Sequence, residues 1–543
     1  MHNGVKIYEE RAEIAIRQFE IVGPLGIFMQ PSQDTHAPLM PSPAPSIARS
    51  AFWNHLGKVA DYALMYVVSV LVARGLGVDL YGRYTALISL VHVLLVASSF
   101  GLEVALTRYG AGFQGAAVDE RLRFLFRRGA AVRVTLFLAA AFVGGGIAIA
   151  TGWVNVSADI TVLLLLGGYA LSRAVLPLFV AILTARFRTG RVAVISVLGR
   201  LCEVAGIAMA GPSGLTLSWV VGVLCVAGAI QIGLHAVWNA RAWWGSTSPI
   251  PLRPVFVFGG VFWLNALVDY FLGRQGDIAL LTMVGGDPAA TSRYDVSYTI
   301  MQAGAMIATL GLSGVSLAAL SRFGEHEVAP RARLYETLVR INSLLTIPVL
   351  GFLFVSAPDI LALIYTGPFV SAATVLRVLI GIRIVTRIFA GGENADLLLS
   401  MDMVRPLVVI GVIAAAVTVA LHLLLIPLYA AEGAAIASGL GTVAANALGI
   451  QRVRTVLPVS IQWRSWVTLT GLTAAAGWVA HLAVPTAPTI LPFVLKGIVF
   501  CAAWILPALF VRPLALHDAD VFGRSFSVLR KPMALLSRRE PAP

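Results

Sequence analysis

The sequence predicts an all-α, polytopic membrane protein of about fourteen transmembrane helices. Two parallel six-helix bundles are followed by a C-terminal hairpin. Three observations predict this. Hydrophobic residues make up 58% of the 543-residue chain and charged residues only 12%, where a soluble domain carries about 25% charged residues. Apolar runs long enough to cross a bilayer recur along nearly the whole chain. Basic residues collect in every second loop between those runs.

A spanning helix needs about 20 mostly apolar residues. Such stretches fall at 56–77, 84–107, 129–151, 158–183, 192–211, 214–236, 255–284, 292–320, 334–356, 371–398, 405–427, 432–453, 465–484 and 490–511. Several contain Gly or Pro, which lipid-embedded helices tolerate when neighbours satisfy the freed backbone groups. Residues 1–55 differ: Pro31–Ser46 holds five prolines. This segment is expected to be a disordered cytoplasmic leader, or partly untranslated with Met29 or Met40 as the start. It lacks the basic-then-apolar order of a cleaved signal peptide.

Orientation follows from the loops. The second holds Arg108, Arg121, Arg123, Arg127 and Arg128, and the fourth holds Arg186, Arg188 and Arg191. Arg241 and Arg253, then Arg322, Arg331 and Arg333, then Arg405, then Arg452, Arg454 and Arg464 mark the later even loops. Odd loops after the first, which holds Arg74 and Arg83, carry none. Both termini are therefore expected in the cytoplasm, with 512–543 as a basic cytoplasmic tail. The net charge of +13 reflects this topology and not nucleic-acid binding, since no base-stacking motif accompanies it. Of 40 basic residues only Lys6, Lys58, Lys496 and Lys531 are lysines. Arginine suits bidentate phosphate recognition; codon usage in a GC-rich genome gives the same bias.

The two halves echo each other. Asp61-Tyr62 returns as Asp269-Tyr270, Arg83-Tyr84 as Arg293-Tyr294, and Arg108-Tyr109-Gly110 as Arg322-Phe323-Gly324. Arg191 and Pro212 match Arg405 and Pro427 at nearly the same offset. Six spans per half insert the same way up, giving parallel bundles at 56–245 and 253–455 related by an axis along the membrane normal. The 465–511 hairpin lies outside the repeat. Two such bundles around a cavity are a physical basis for alternating access.

Certain motifs carry a resemblance. Ala73-Arg-Gly-Leu-Gly-Val-Asp-Leu-Tyr-Gly-Arg-Tyr84 resembles an "ARxLGxxxYGxY" turn, and Gly101-Leu-Glu-Val-Ala-Leu-Thr-Arg-Tyr109 a "GLExALxRY" helix end. The passage from Asp277-Ile-Ala-Leu-Leu to Tyr294 resembles a "D-ILLL…YxxA" pattern. Ile426-Pro-Leu-Tyr-Ala-Ala-Glu-Gly-Ala-Ala435 resembles "IPxYGxxGAA", with Ala430 where the family often has Gly. Together they resemble the polysaccharide biosynthesis, O-antigen-type flippases of the multidrug/oligosaccharidyl-lipid/polysaccharide (MOP) exporter superfamily. The resemblance implies a flippase, not an enzyme, that moves an undecaprenyl-pyrophosphate-linked oligosaccharide across a bacterial inner membrane. The polymer would be O-antigen, capsule or exopolysaccharide, with a polysaccharide polymerase as a further partner.

Such cargo needs a hydrated cationic cavity, and ionisable residues within spans are expected to face it. Arg383 and Arg387, four apart on one helix face, are the leading candidates for a diphosphate. Alternatively they pair with carboxylates on other helices. Arg377, Arg173 and Arg274 complete the cationic set. Asp269, Asp277 and Glu393 are the candidates for ion coupling, with Arg274 placed to neutralise Asp277. Arg200 and Glu203 are expected to pair within their helix, and the scattered histidines read as packing residues. No Walker motif, CxxC or metal-ligand cluster occurs, so neither cofactor nor metal is expected. The alternatives are a MATE-type multidrug exporter, a peptidoglycan-precursor (lipid II) flippase, and a membrane polymerase or ligase. The short outer loops leave little room for an external active site of the last kind.

Overall fold

The computed structural model describes residues 44–113, 117–150, 156–186, 188–210, 214–309, 315–324, 327–487, 489–515 and 537–538. Most of the leader, and Pro212 of the repeat, lie outside the described residues. Lipid offers no partner to a free N–H or C=O, so the apolar runs satisfy their backbone internally as helices. These are α1 (Ala44–Ser99), α2 (Leu102–Gly112), α3 (Val118–Ala150), α4 (Val156–Ala185), α5 (Thr189–Met209), α6 (Leu217–Trp238) and the short α7 (Ala240–Trp243). The second half holds α8 (Arg253–Phe271), α9 (Arg274–Leu280), α10 (Pro288–Ala308), α11 (Val315–Leu320), α12 (Val328–Val355), α13 (Ala357–Ile364), α14 (Ala373–Thr386), α15 (Glu393–Ser400) and α16 (Val404–Val456). The terminal hairpin is α17 (Trp463–Ala483) and α18 (Ile490–Val511). Among the described residues the only strands are Leu514–Ala515 and Ser537–Arg538, paired in parallel in the tail.

Ten helices among the described residues are long and apolar enough to cross a membrane. Two of these are hairpins rather than straight rods. In α1 the break is Gly77, at φ 73° and ψ 177°, a region open essentially to glycine alone. Ser69 Oγ and Tyr81 OH lie 3.0 Å apart across it, which a straight helix rising about 1.5 Å per residue forbids. In α16 the break is Ala430, at φ 46° and ψ −118°. Beyond it, a Cβ added to Gly441 would lie 1.7 Å from Thr418 Oγ1, although the two stand about 34 Å apart on a straight helix. Gly77 ends the expected 56–77 span, and Ala430 falls between the expected 405–427 and 432–453 spans.

Four expected spans are broken, among them 292–320, where α10 ends at Ala308 and α11 begins at Val315. The 84–107 span is interrupted at Phe100 and Gly101, both at positive φ. The 255–284 span divides into α8, α9 and a π-turn at Leu281–Gly285. The 371–398 span gives way after α14 to a 3₁₀ turn at Arg387–Phe389 and a reversal at Ala390 and Gly391, both at positive φ, before α15. Broken helices within a membrane protein occur where backbone lines a cavity or is otherwise re-satisfied. Cap chemistry fixes the starts: Thr216 Oγ1 accepts from Trp219 N, and Asp287 accepts from the Ala289 and Ala290 amides ahead of Pro288.

One hydrophobic core joins the halves, running from Val68, Val72 and Leu76 through Ile278, Tyr294 and Leu361 to Ile426 and Ala434. Polar contacts reinforce it. Arg74 donates to the Leu363 and Ile364 carbonyls at 2.6 Å each, and Trp263 Nε1 donates to Val96 O at 2.9 Å. The terminal hairpin packs on α12 through Leu469, Ala476, Phe500 and Trp504 against Ile341, Leu344 and Ile347. A buried pair, Lys496 Nζ to Asp359 Oδ2 at 2.7 Å, fastens it further.

Candidate functional site

Within the second half, α8, α10, α12, α14, α15 and α16 enclose a cavity of about 720 Å³. Its walls carry hydroxyls and amides from Tyr298, Gln302, Asn342, Thr346, Ser438, Thr442 and Asn446, together with the charges of Asp269, Arg383, Arg387, Glu393 and Asp396. Such polarity in a membrane span is expensive unless it faces protein or water.

The two leading arginines behave differently. Arg387 is buried and makes a two-pronged pair with Glu393, Nη1 to Oε2 at 3.1 Å and Nη2 to Oε1 at 3.0 Å. It also donates to the Ala390 and Val339 carbonyls and to Ser343 Oγ. Glu393 Oε1 in turn accepts from Asn342 Nδ2 at 2.5 Å. Arg387 therefore closes the α14–α15 reversal and has no donor left for a ligand, so the expected guanidinium pair is corrected to one. Glu393, equally engaged, is not an open ion site. Arg383 projects into the cavity and has no hydrogen-bond or ion-pair partner among the described residues.

The acidic candidates also separate. Asp269 lines the cavity and accepts a hydrogen bond from Asn265 Nδ2 at 3.0 Å. Asp396, a charge of the same sequence run as Glu393 to which the sequence assigned no role, lines it without a side-chain partner among the described residues. The unpaired charges of the cavity are thus one guanidinium and two carboxylates, a more balanced set than the cationic cavity expected. Asp277 does not line the cavity. It is fully buried, accepting from Tyr294 OH at 2.5 Å and facing His422 Nε2 at 3.2 Å. Arg274 does not neutralise it, because Arg274 turns to Asp295, Nε to Oδ1 at 2.6 Å.

Asp295 is the partner that sequence reading missed. Its other oxygen accepts from Tyr81 OH of the first half at 2.7 Å, so Arg274 helps hold the halves together. Arg377 also leaves the cavity: its Nε donates to Phe354 O at 3.2 Å. Arg173 sits in the first half, paired with Glu203 at 3.0 Å and stacked 5.2 Å over Tyr169. Glu203 accepts from Arg200 as well, at 2.7 Å, and Arg200 reaches Asp61 at 3.0 Å. This chain of four charges spans α1, α4 and α5, with Arg173 and Arg200 each still about one-fifth exposed (18% and 19%).

A family model described as "Polysaccharide biosynthesis protein" matches residues 71–374, more than half of the chain. The chain belongs to this polysaccharide biosynthesis family. Solved structures agree on the fold. The lipid II flippase MurJ, in an inward closed conformation, superposes with a TM-score of 0.66 at 13% identity, covering 89% of this chain and 99% of that one. An inward-facing multidrug resistance MATE transporter of the MOP superfamily gives 0.60 at 14% identity, covering 73% and 93%. A MOP superfamily transporter from Pyrococcus furiosus gives 0.50 at 15%, covering 76% and 96%. The sequence has no significant match among curated proteins. The family is thus one of polysaccharide biosynthesis, and the fold is the one these solved structures share.

Proposed function

We propose that this family member moves an undecaprenyl-pyrophosphate-linked oligosaccharide from the inner to the outer leaflet of a bacterial inner membrane by alternating access. Fourteen crossings and two cytoplasmic termini are part of the reading, and a polysaccharide polymerase uses the product on the far side. Arg383 carries it. An unpaired guanidinium within a span costs about 2.5–3.5 kcal/mol on insertion scales. The geometry offers it no carboxylate partner, and a phosphate oxygen pair matches its fork. The surrounding hydroxyls and amides suit the sugar hydroxyls that must cross with the phosphate.

Asp269 and Asp396 favour a second reading, export of organic cations, because unpaired carboxylates attract them. Proteoliposomes holding the full chain discriminate between the readings. Flipping of a short-chain polyprenyl-pyrophosphate glycan, lost in Arg383→Ala, supports the flippase. Accumulation of a lipophilic cation, lost in Asp396→Asn, supports the exporter. A lipid II substrate in the same assay tests whether peptidoglycan precursor is the cargo.

A further inference from the structure

The buried pair Asp277 and His422 obeys a proton count that its surroundings enforce. His422 Nδ1 lies 2.7 Å from Thr418 O. A carbonyl oxygen only accepts, so Nδ1 carries a hydrogen. His422 Nε2 then faces Asp277 Oδ1 at 3.2 Å, with both side chains at 0% exposure. With Nε2 bare and the carboxylate ionised, two lone pairs would oppose each other where no water reaches. One proton on the pair removes the conflict, held either as imidazolium with carboxylate or as imidazole with carboxylic acid. The other oxygen of Asp277 is already occupied by Tyr294 OH.

The remaining ionisable groups around the pair do not take over this role. Arg274, on the same helix, is turned to Asp295. Tyr81 donates to Asp295, and Tyr270 donates to Gln275 O. Tyr298 and Asp269 line the cavity. His92, on the second arm of α1, is bound through Nδ1 to Ile88 O. Tyr429 and Glu432 lie at the α16 turn and make no hydrogen bond or ion pair with the dyad. Among the described residues no group of three His, Cys, Asp or Glu side chains is placed to hold a metal ion.

We infer that Asp277 and His422 together bind one proton, and that this proton is the coupling ion of the transport cycle. The coupling role rests on the transport reading above. The connection to conformational change is short. Asp277 sits three residues after Arg274 on the seven-residue α9, which is set off by Gly273 on one side and the π-turn on the other. Arg274 holds Asp295, and Asp295 holds Tyr81 of the first half. Loss of the proton turns attraction between α9 and α16 into repulsion, and α9 carries the arginine that closes the two halves.

The test uses the full chain in lipid nanodiscs, with Cys202, Cys225 and Cys501 replaced and spin labels introduced at the exposed positions Leu80 and Ile364. Interspin distances report the ratio of the closed to the open arrangement as pH is varied. One coupled proton gives up to a tenfold change in that ratio per pH unit, with the closed form favoured at lower pH. His422→Gln, whose amide can still donate to Asp277, and Asp277→Asn are each expected to flatten this dependence, while His235→Gln leaves it unchanged. A wild-type ratio indifferent to pH, a wild-type slope surviving in His422→Gln, or a shift produced by sodium at fixed pH overturns the proposal. If one variant fails to fold, the other still decides. The readout needs no cargo: a flat slope with intact glycolipid flipping removes the proton site alone, and an intact slope without flipping removes the flippase reading.

Discussion

Removing Arg387 and removing Arg383 should have opposite signatures. Arg387→Ala leaves the Glu393 carboxylate, 2% exposed, with only Asn342 as a donor. Breaking a buried pair by deleting one partner costs about 3–5 kcal/mol, and an unpaired charge within a span costs about 2.5–3.5 kcal/mol on insertion scales. The two estimates meet near ~3 kcal/mol, more than a hundredfold in the folded-to-unfolded ratio. Arg383→Ala breaks no hydrogen bond or ion pair among the described residues and removes an unpaired charge from a span, so it should leave the chain at least as stable as the wild type. The double variant Arg387→Met with Glu393→Leu removes both charges and should be less destabilised than either Arg387→Ala or Glu393→Ala. Thermal unfolding of the purified full chain, followed by the monodisperse fraction remaining in detergent, reads all four. Equal destabilisation by Arg383→Ala and Arg387→Ala, or a double variant as unstable as the sum of its singles, refutes the assignment of the two arginines to separate roles.

Three further outcomes are expected. Lys496→Ala strands Asp359 with only the Ala487 amide as partner; it should destabilise docking of α17 and α18 by about 3–5 kcal/mol, seen as faster proteolysis around residues 457–463. Arg274→Ala leaves the nearly fully buried Asp295 unpaired and should loosen the contact between halves, raising maleimide labelling of Leu76→Cys in a cysteine-free background. At the hairpin turns the signs oppose each other. Gly77→Ala forces an alanine into glycine-only backbone and should cost about 1–3 kcal/mol, whereas Ala430→Gly relieves strain already present at φ 46° and should raise the unfolding temperature.

The membrane class and the fold family were legible in the sequence because both depend on long-range composition and on backbone turns. The motif ending at Tyr84 contains Gly77, and the motif around Ala430 contains the second reversal, so the conspicuous glycine and its alanine counterpart sit where the chain folds back. The broken spans were not legible. Gly273 is followed by Arg274-Gln275-Gly276-Asp277 and Gly391 by Gly392-Glu393-Asn394, polar interruptions of otherwise apolar runs, and only tertiary packing decides that the helices stop there. The site was half legible. Charge within an apolar run pointed to Arg383, Arg387, Asp269 and Glu393, all of which line the cavity. Pairing was hidden, because a carboxylate six residues along a straight helix lies on another face, and it is the 3₁₀ turn at Arg387–Phe389 that folds Glu393 back onto Arg387. His422 was dismissed as one of several lone histidines. It stands 145 residues from Asp277, and no local pattern announces that contact.

Flipping of a lipid-linked glycan whose phosphate Arg383 receives is the function proposed above. The most direct measurement is complementation of a deletion strain, scoring surface polysaccharide together with lipid-linked repeat units retained in the cytoplasmic leaflet. Deletion is expected to abolish the polymer and to trap the lipid-linked units inside. Wild-type protein should restore both, and Arg383→Ala, expressed at the wild-type level, should restore neither. Unchanged surface polysaccharide on deletion, with new sensitivity to cationic drugs, would contradict it.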